Sequence, residues 1–268
     1  MKSHDTLVCC GLDPDLTRMP DEILGAQISD EDKVLLFMKE IIDLTAPHIC
    51  AYKAQKAFFD LLPGGHTVLQ EVIKYVHENH PTLSVIIDCK IGDIDNTMEA
   101  YIENLFGHLK ADGIVVNPYM GDDVMDPLSS FPDKAIVALV KTSNSGGSIV
   151  QNTLLENGQQ MWRYMLDLVL NRWNQSKNMI PVLSSTAQSN FAELRTSIPE
   201  KTPILLAGVG AQGGNLNEVA GLLNADGIGP FVNSSRGILY PEGQKPWREG
   251  VVTAVQDLKN ALNQIRRA

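Results

Sequence analysis

The stretch Val85-Ile-Ile-Asp88-Cys-Lys90-Ile-Gly-Asp93-Ile-Asp-Asn-Thr97 is an apolar run that ends in alternating charges. A run of that kind reads as a strand buried on both faces, where a charge is expensive unless chemistry needs it. Residues two apart on a strand point the same way, so the Asp88 carboxylate and the Lys90 ammonium fall side by side at its carboxyl end. Asp93 sits in the turn just beyond. Two anions flanking one cation hold Lys90 protonated and press on any negative group brought between them. The trio reads as a proton donor beside an electrostatic lever.

A second cation is needed to balance this group. Lys53 is the candidate, because Ile49, Ala51 and Lys53 share one strand face; Lys56, three residues on, is a rival, and a lone lysine after a strand also reads as a solvated surface residue. Near the carboxyl end, Gly208-Val-Gly210-Ala-Gln212-Gly-Gly214 and Asn233-Ser-Ser235-Arg236-Gly237 suit a phosphate. Glycines let backbone N–H groups approach an anion, and a guanidinium grips two oxygens at once. The bland alternative is that these glycines only make turns and Arg236 pairs with a surface carboxylate. Asp13, before a proline, suits a sugar hydroxyl as an acceptor and equally suits a turn or helix cap. His77 and His80 lack acidic or cysteine companions in sequence, and His48, His66 and His108 show no metal-binding pattern, so no metal site is expected. Asp122, Asp123 and Asp126 read as the start of a helix.

Eight short apolar runs must position these residues: 7–11, 49–53, 83–88, 113–116, 135–140, 180–183, 203–207 and 227–232. Segments of helical period separate them. Val68, Leu69, Val72, Ile73 and Val76 form one amphipathic stripe, and Val251, Val255, Leu258, Leu262 and Ile265 form another in a last helix. Alternating strands and helices imply parallel strands, and eight such units most economically make a (β/α)8 TIM barrel over residues 1–268 as one domain. A doubly wound open sheet is the alternative. In a barrel the carboxyl ends of the strands converge on one face, and nearly all the unusual polar residues fall there: Asp13, Lys53 and Gln55, Asp88 and Lys90, Lys141 to Asn144, and the two glycine-bearing segments.

The formal charge of −10 argues against nonspecific binding to nucleic acid or to an anionic membrane. The four cysteines, Cys9, Cys10, Cys50 and Cys89, show no C-x-x-C spacing and read as buried thiols in a reducing compartment. The opening Met-Lys-Ser-His-Asp-Thr has no apolar stretch of a signal peptide, and no run of about 18 apolar residues occurs, so a cytoplasmic location is expected.

Taken together, the sequence resembles the orotidine 5′-phosphate decarboxylase family. The resemblance rests on L-D-P ending near residue 14, Y-K-A-Q at 52–55, D-C-K-I-G-D-I-D-N-T at 88–97, V-N-P-Y at 116–119, K-T-S-N at 141–144, G-V-G-A-Q-G-G at 208–214 and N-S-S-R-G at 233–237. It implies a cofactor-free decarboxylation of orotidine 5′-monophosphate to UMP in pyrimidine biosynthesis. Lys53, Asp88, Lys90 and Asp93 would form the catalytic charge network. Asp13 would bind ribose hydroxyls, Ser143 the pyrimidine edge, and Gln212 and Arg236 the phosphate. Asp93 and Thr97 would serve the neighbouring subunit of an obligate homodimer, a spacing that suits one helix face. Three prolines usual in the family are replaced, by Ala54, Ser145 and Ala207. Two rivals remain open: a metal-dependent phosphosugar decarboxylase or aldolase on the same D-x-K-x-x-D frame, whose members carry an acidic residue where Lys53 stands, and a noncatalytic nucleotide-binding barrel.

Overall fold

Eight parallel strands close on themselves: β1 (Val8–Leu12), β2 (Ala51–Gln55), β3 (Ser84–Ile91), β4 (Gly113–Val116), β5 (Ala135–Leu139), β6 (Met179–Ser184), β7 (Ile204–Ala207) and β8 (Pro230–Ser234). The ladder between β8 and β1, with Cys9 opposite Asn233, makes the sheet a barrel and removes the open-sheet alternative. The computed structural model describes residues 1–184, 191–208, 216–243 and 246–268.

Two hydrophobic cores follow from the two-residue period of the strands. One side of each strand fills the barrel interior with Cys9, Ala51, Ile86, Val115, Val137, Ile180, Val182, Leu205 and Phe231. The other side packs outward under the helices, where Cys10, Tyr52, Ile87, Ile114 and Ile136 join the larger core. The helix Asp30–Thr45 starts at Ser29, whose hydroxyl oxygen accepts the Asp32 N–H, and buries Val34, Phe37, Met38, Ile41 and Ile42. The helix Gly65–Asn79 buries the stripe read from the sequence, Val68 to Val76. The last helix, Trp247–Arg267, buries Val251, Val255 and Leu262 and leaves Leu258 partly covered. Among the described residues no helix is long and apolar enough to cross a membrane.

Several strands run further toward the carboxyl side than their apolar residues suggest. β2 reaches Gln55 and β3 reaches Ile91, because the backbone ladder continues through polar positions: Gln55 lies opposite Asp88, and Ile91 opposite Val116. β8 begins only at Pro230, since Gly227 and Gly229 have φ of 69° and 126°, outside the extended region. All four cysteines are free. Burial pushes the Cys10 thiol up to about 12 and those of Cys50 and Cys89 up to about 11, so all three are held in the unreactive thiol form.

Candidate active site

The inward face of several strands, followed two residues past the interior core, turns polar at the barrel mouth. Cys9 leads to Gly11 and Asp13, Ala51 to Lys53 and Gln55, Ile86 to Asp88, and Phe231 to Asn233. A cavity of about 510 Å³ opens there, lined by Asp13, Lys53, Gln55, Asp88 and Lys90 on one side and by Thr142, Ser143, Asn144, Gly208, Ser235 and Arg236 on the other. Of the nine residues singled out by sequence, six line it. Gln212 lies outside the described residues. Asp93 and Thr97 are not among the lining residues.

At the centre of the cavity a carboxylate bridges two ammonium groups. Lys53 Nζ donates to Asp88 Oδ2 at 2.7 Å, and Lys90 Nζ donates to Asp88 Oδ1 at 2.6 Å. The side chains of Lys53 and Asp88 are each 8% exposed, whereas that of Lys90 is 47% exposed and faces the cavity. Burial alone would raise the Asp88 pKa, but the two lysines outweigh it and hold the carboxyl below its ordinary value. Burial would likewise lower Lys53; Asp88 and Asp13 outweigh it and hold the ammonium above its ordinary value. Asp13 is shifted the other way. Burial raises it, and Lys53 and a hydrogen bond with Ser235 only partly offset that rise.

Lys90 reaches Asp88 by a route that strand alternation does not describe. Its φ is +47°, and the β3–β4 register shifts between Ile87 and Ile91. A left-handed residue in a bulged strand is the device that re-aims a side chain at a barrel rim. Within one chain Asp93 does not flank Lys90. Its Oδ1 accepts the Ile94 N–H at 2.9 Å, and among the described residues it has no ion pair. The helix that carries Thr97 starts at Asp95, with φ of +50° there, so the expected common helix face of Asp93 and Thr97 is not present. Thr97 is exposed.

Asp13 is not a cap. Asp15 takes that role, accepting the Thr17 N–H at 3.0 Å, while the Tyr240 hydroxyl accepts the Asp15 N–H at 2.7 Å and lies 3.2 Å from the Asp13 carbonyl oxygen as its donor. A Cβ at Gly11 would collide with the Ser235 hydroxyl, so only glycine lets β1 and the segment after β8 close this corner. Arg236 is exposed at the rim and makes no ion pair among the described residues. Lys56 is drawn away by Asp60 at 2.7 Å, which leaves the inner position to Lys53. His77 and His80 do find carboxylates, Asp112 at 2.9 Å and Asp43 at 3.4 Å, which sequence proximity does not reveal. Among the described residues no group of three or more His, Cys, Asp or Glu side chains is arranged to hold a metal ion. Asp122 does open a helix and in addition pairs with Arg172. Gln55, Thr142, Asn144, Asn233 and Ser235 also line the cavity and carried no assigned role; the two-residue step beyond the interior core was the signal for Gln55 and Asn233.

A family model described as "Orotidine 5'-phosphate decarboxylase / HUMPS family" matches residues 6–245. An orotidine 5′-phosphate decarboxylase of Bordetella petrii is 35% identical over 263 residues, covering 98% of this chain and 95% of that one. Among solved structures, the orotidine monophosphate decarboxylase of Leishmania donovani is 28% identical with a TM-score of 0.83, covering 100% of this chain and 96% of that one. The Leishmania donovani UMP synthase is 30% identical with a TM-score of 0.85; it covers 100% of this chain, which spans 56% of that longer one.

Proposed function

Because the chain belongs to the orotidine 5′-phosphate decarboxylase / HUMPS family, we propose that it decarboxylates orotidine 5′-monophosphate to UMP without a metal or other cofactor. The single observation that carries this reading is the Lys53–Asp88–Lys90 group at the barrel mouth, with contacts of 2.7 and 2.6 Å. Substrate carboxylate enters beside Asp88. Two carboxylates about 4 Å apart repel by roughly 4 kcal/mol at an effective dielectric of 20. Departure of CO₂ relieves that repulsion. The electron pair left on C6 of the pyrimidine develops beside the Lys90 ammonium, which stabilises it by charge and then donates its proton to that carbon.

Lys53, held charged by Asp88 and Asp13, fixes the orientation of Asp88. Asp13 takes the ribose hydroxyls, Ser143 the pyrimidine edge, and Arg236 with Gln212 the phosphate. Binding of that remote phosphate contributes to stabilising the transition state at the reacting carbon. Lys53 also weighs against the metal-dependent rival, since its ammonium 2.7 Å from Asp88 repels a divalent cation from that carboxylate.

In this reading the active unit is a homodimer in which Asp93 and Thr97 complete the partner's cavity. Support comes from their position outside their own cavity and from an apolar rim after β2 to β5. Leu61 is 79% exposed, Tyr119 79% and Ile149 80%, with Ile94, Tyr101 and Met120 also exposed. Large apolar side chains exposed in the segments that follow consecutive strands suit an interaction surface. The test is to follow orotidine 5′-monophosphate absorbance with purified protein before and after EDTA treatment. Turnover that survives EDTA is expected. No turnover overturns the reading, and turnover abolished by EDTA turns it toward the metal-dependent rival.

A further inference from the structure

The strand end Thr142-Ser143-Asn144 lines the cavity with three consecutive residues and then leaves the barrel as an exposed loop. A 3₁₀ turn, Ser145–Gly147, leads into one helical turn, Ser148–Gln151, whose tip carries Ile149 and Val150, 80% and 54% exposed within one chain. Within the tip, the Ser148 hydroxyl donates to the Ser145 carbonyl oxygen at 2.8 Å and the Thr153 hydroxyl donates to the Ile149 carbonyl oxygen at 3.0 Å. The neck of the loop is tied by side chains. The Thr142 N–H donates to Gln151 Oε1 at 3.2 Å, and Gln151 Nε2 donates back to Thr142 Oγ1 at 2.7 Å. The backbone donor fixes which way the amide faces, so both ends of the Gln151 amide are committed to one threonine. The Thr142 hydroxyl in turn donates a hydrogen bond to Asn144 Oδ1 at 2.7 Å, so the residues on both sides of Ser143 are held.

Beside this pair, Lys141 Nζ donates to Asn152 Oδ1 at 2.5 Å, and the Lys141 N–H donates to the Val182 carbonyl at 3.0 Å, anchoring the neck on β6. Lys141 is 5% exposed, and burial holds its ammonium below the ordinary lysine value. Gly147 is part of the fit. A Cβ there would lie 2.8 Å from Thr142 Oγ1 and 3.1 Å from Gln151 Nε2, too close for the amide to stay in place. Ser145, with no ring to lock φ, leaves the loop without covalent stiffness.

We infer that Gln151 and Asn152 are positioning residues that clamp the Thr142-Ser143-Asn144 edge against the base of the bound nucleotide. The inference rests on the reading above in which Ser143 meets the pyrimidine edge. Without the clamp, Ser143 has more conformations to lose on binding, and the penalty falls on the base and not on the phosphate.

The test is calorimetric titration with UMP and with ribose 5-phosphate, which lacks the base, on wild-type protein, Gln151→Ala and Gln151→Glu, with melting temperatures alongside. Gln151→Ala binds UMP about tenfold more weakly, the equivalent of one to two lost hydrogen bonds, and binds ribose 5-phosphate within about twofold of wild type. Gln151→Glu keeps an acceptor for the Thr142 N–H and loses the donor, so it falls between the two. In a Ser143→Ala background the Gln151→Ala change adds less than about twofold, because the two residues act as a unit. Unchanged UMP affinity in Gln151→Ala overturns the inference, as does an equal loss for both ligands, which would signal general damage. Wild-type protein that binds ribose 5-phosphate but shows no gain from the base removes the Ser143 reading and the clamp with it. Wild-type protein that binds neither ligand removes the nucleotide reading as a whole.

Discussion

Asp88→Asn is the perturbation with the most to say about the barrel mouth. It replaces a carboxylate that is 8% exposed and touches two ammonium groups by a neutral isostere. At 2.7 Å and an effective dielectric of 20, the Lys53–Asp88 attraction is about 6 kcal/mol before desolvation is counted. Removing one partner of a buried pair typically costs about 3–5 kcal/mol, because the other charge is left without compensation. Asp13 still faces Lys53, so the lower end, about 3 kcal/mol, is expected. The contact with Lys90 adds little, since that side chain is 47% exposed and screened by water.

The pH dependence gives this prediction its sign. In the wild type, Asp88 is held below its ordinary value, so its contribution is present above the unfolded carboxylate pKa of about 4 and is lost as pH falls through the depressed value. Lys53 is held above its ordinary value, so its contribution is present below about pH 10 and is lost as pH rises through the raised value. In the variant, burial dominates and pulls Lys53 down. The resulting penalty is full at neutral pH and fades as pH climbs toward about 10. The stability gap between the proteins is therefore widest between about pH 4 and pH 10 and closes on both sides. Urea denaturation across that range measures it. A gap below about 1 kcal/mol at pH 7, or one that is flat with pH, would refute the claim that Asp88 compensates a buried lysine.

Asp13→Asn has the opposite effect on stability. Burial raises the Asp13 pKa, so the ionised form is disfavoured in the fold above that raised value, and the Asn variant is more stable at pH 7, a gain that vanishes on acidification to about pH 4. Thermal melts at the two pH values check this, with weaker nucleotide binding as the accompanying loss. Mixing Lys90→Ala with Asp93→Asn subunits tests the shared site: random exchange restores about a quarter of wild-type active sites, because each mixed dimer holds one intact cavity. Activity of the mixture no greater than that of the separate variants would remove Asp93 from the partner's site.

Much of this architecture is legible in the sequence because the barrel obeys two simple periods. Alternation along the strands gives the interior core, and the same alternation carried two residues further gives Lys53, Asp88 and Asn233 at the mouth. The polar punctuation at strand ends points to the right face before any contact is known. Hydrophobic runs misplace strand ends, since the ladder follows backbone donors and acceptors while side chains turn polar at Gln55 and Lys90. They also cannot show the left-handed φ of Lys90, which depends on a bulge against β4 and not on its neighbours in sequence. The partners of His77 and His80 lie more than thirty residues away, on elements that only the closed barrel brings close. Lys141, Gln151 and Asn152 illustrate the same limit: nothing in their types announces a clamp until the loop between them is closed.

The central claim is that Lys90 stabilises and protonates the carbon that loses CO₂. The most direct measurement is the rate of orotidine 5′-monophosphate decarboxylation by metal-stripped wild type and Lys90→Ala side by side, with folding of both verified by melting. Loss of the developing charge's partner together with the general acid predicts a fall in kcat/KM of at least about 10⁴-fold. A folded variant that retains activity within about tenfold of wild type would contradict the account, since general acid catalysis by a positioned group is worth more than that.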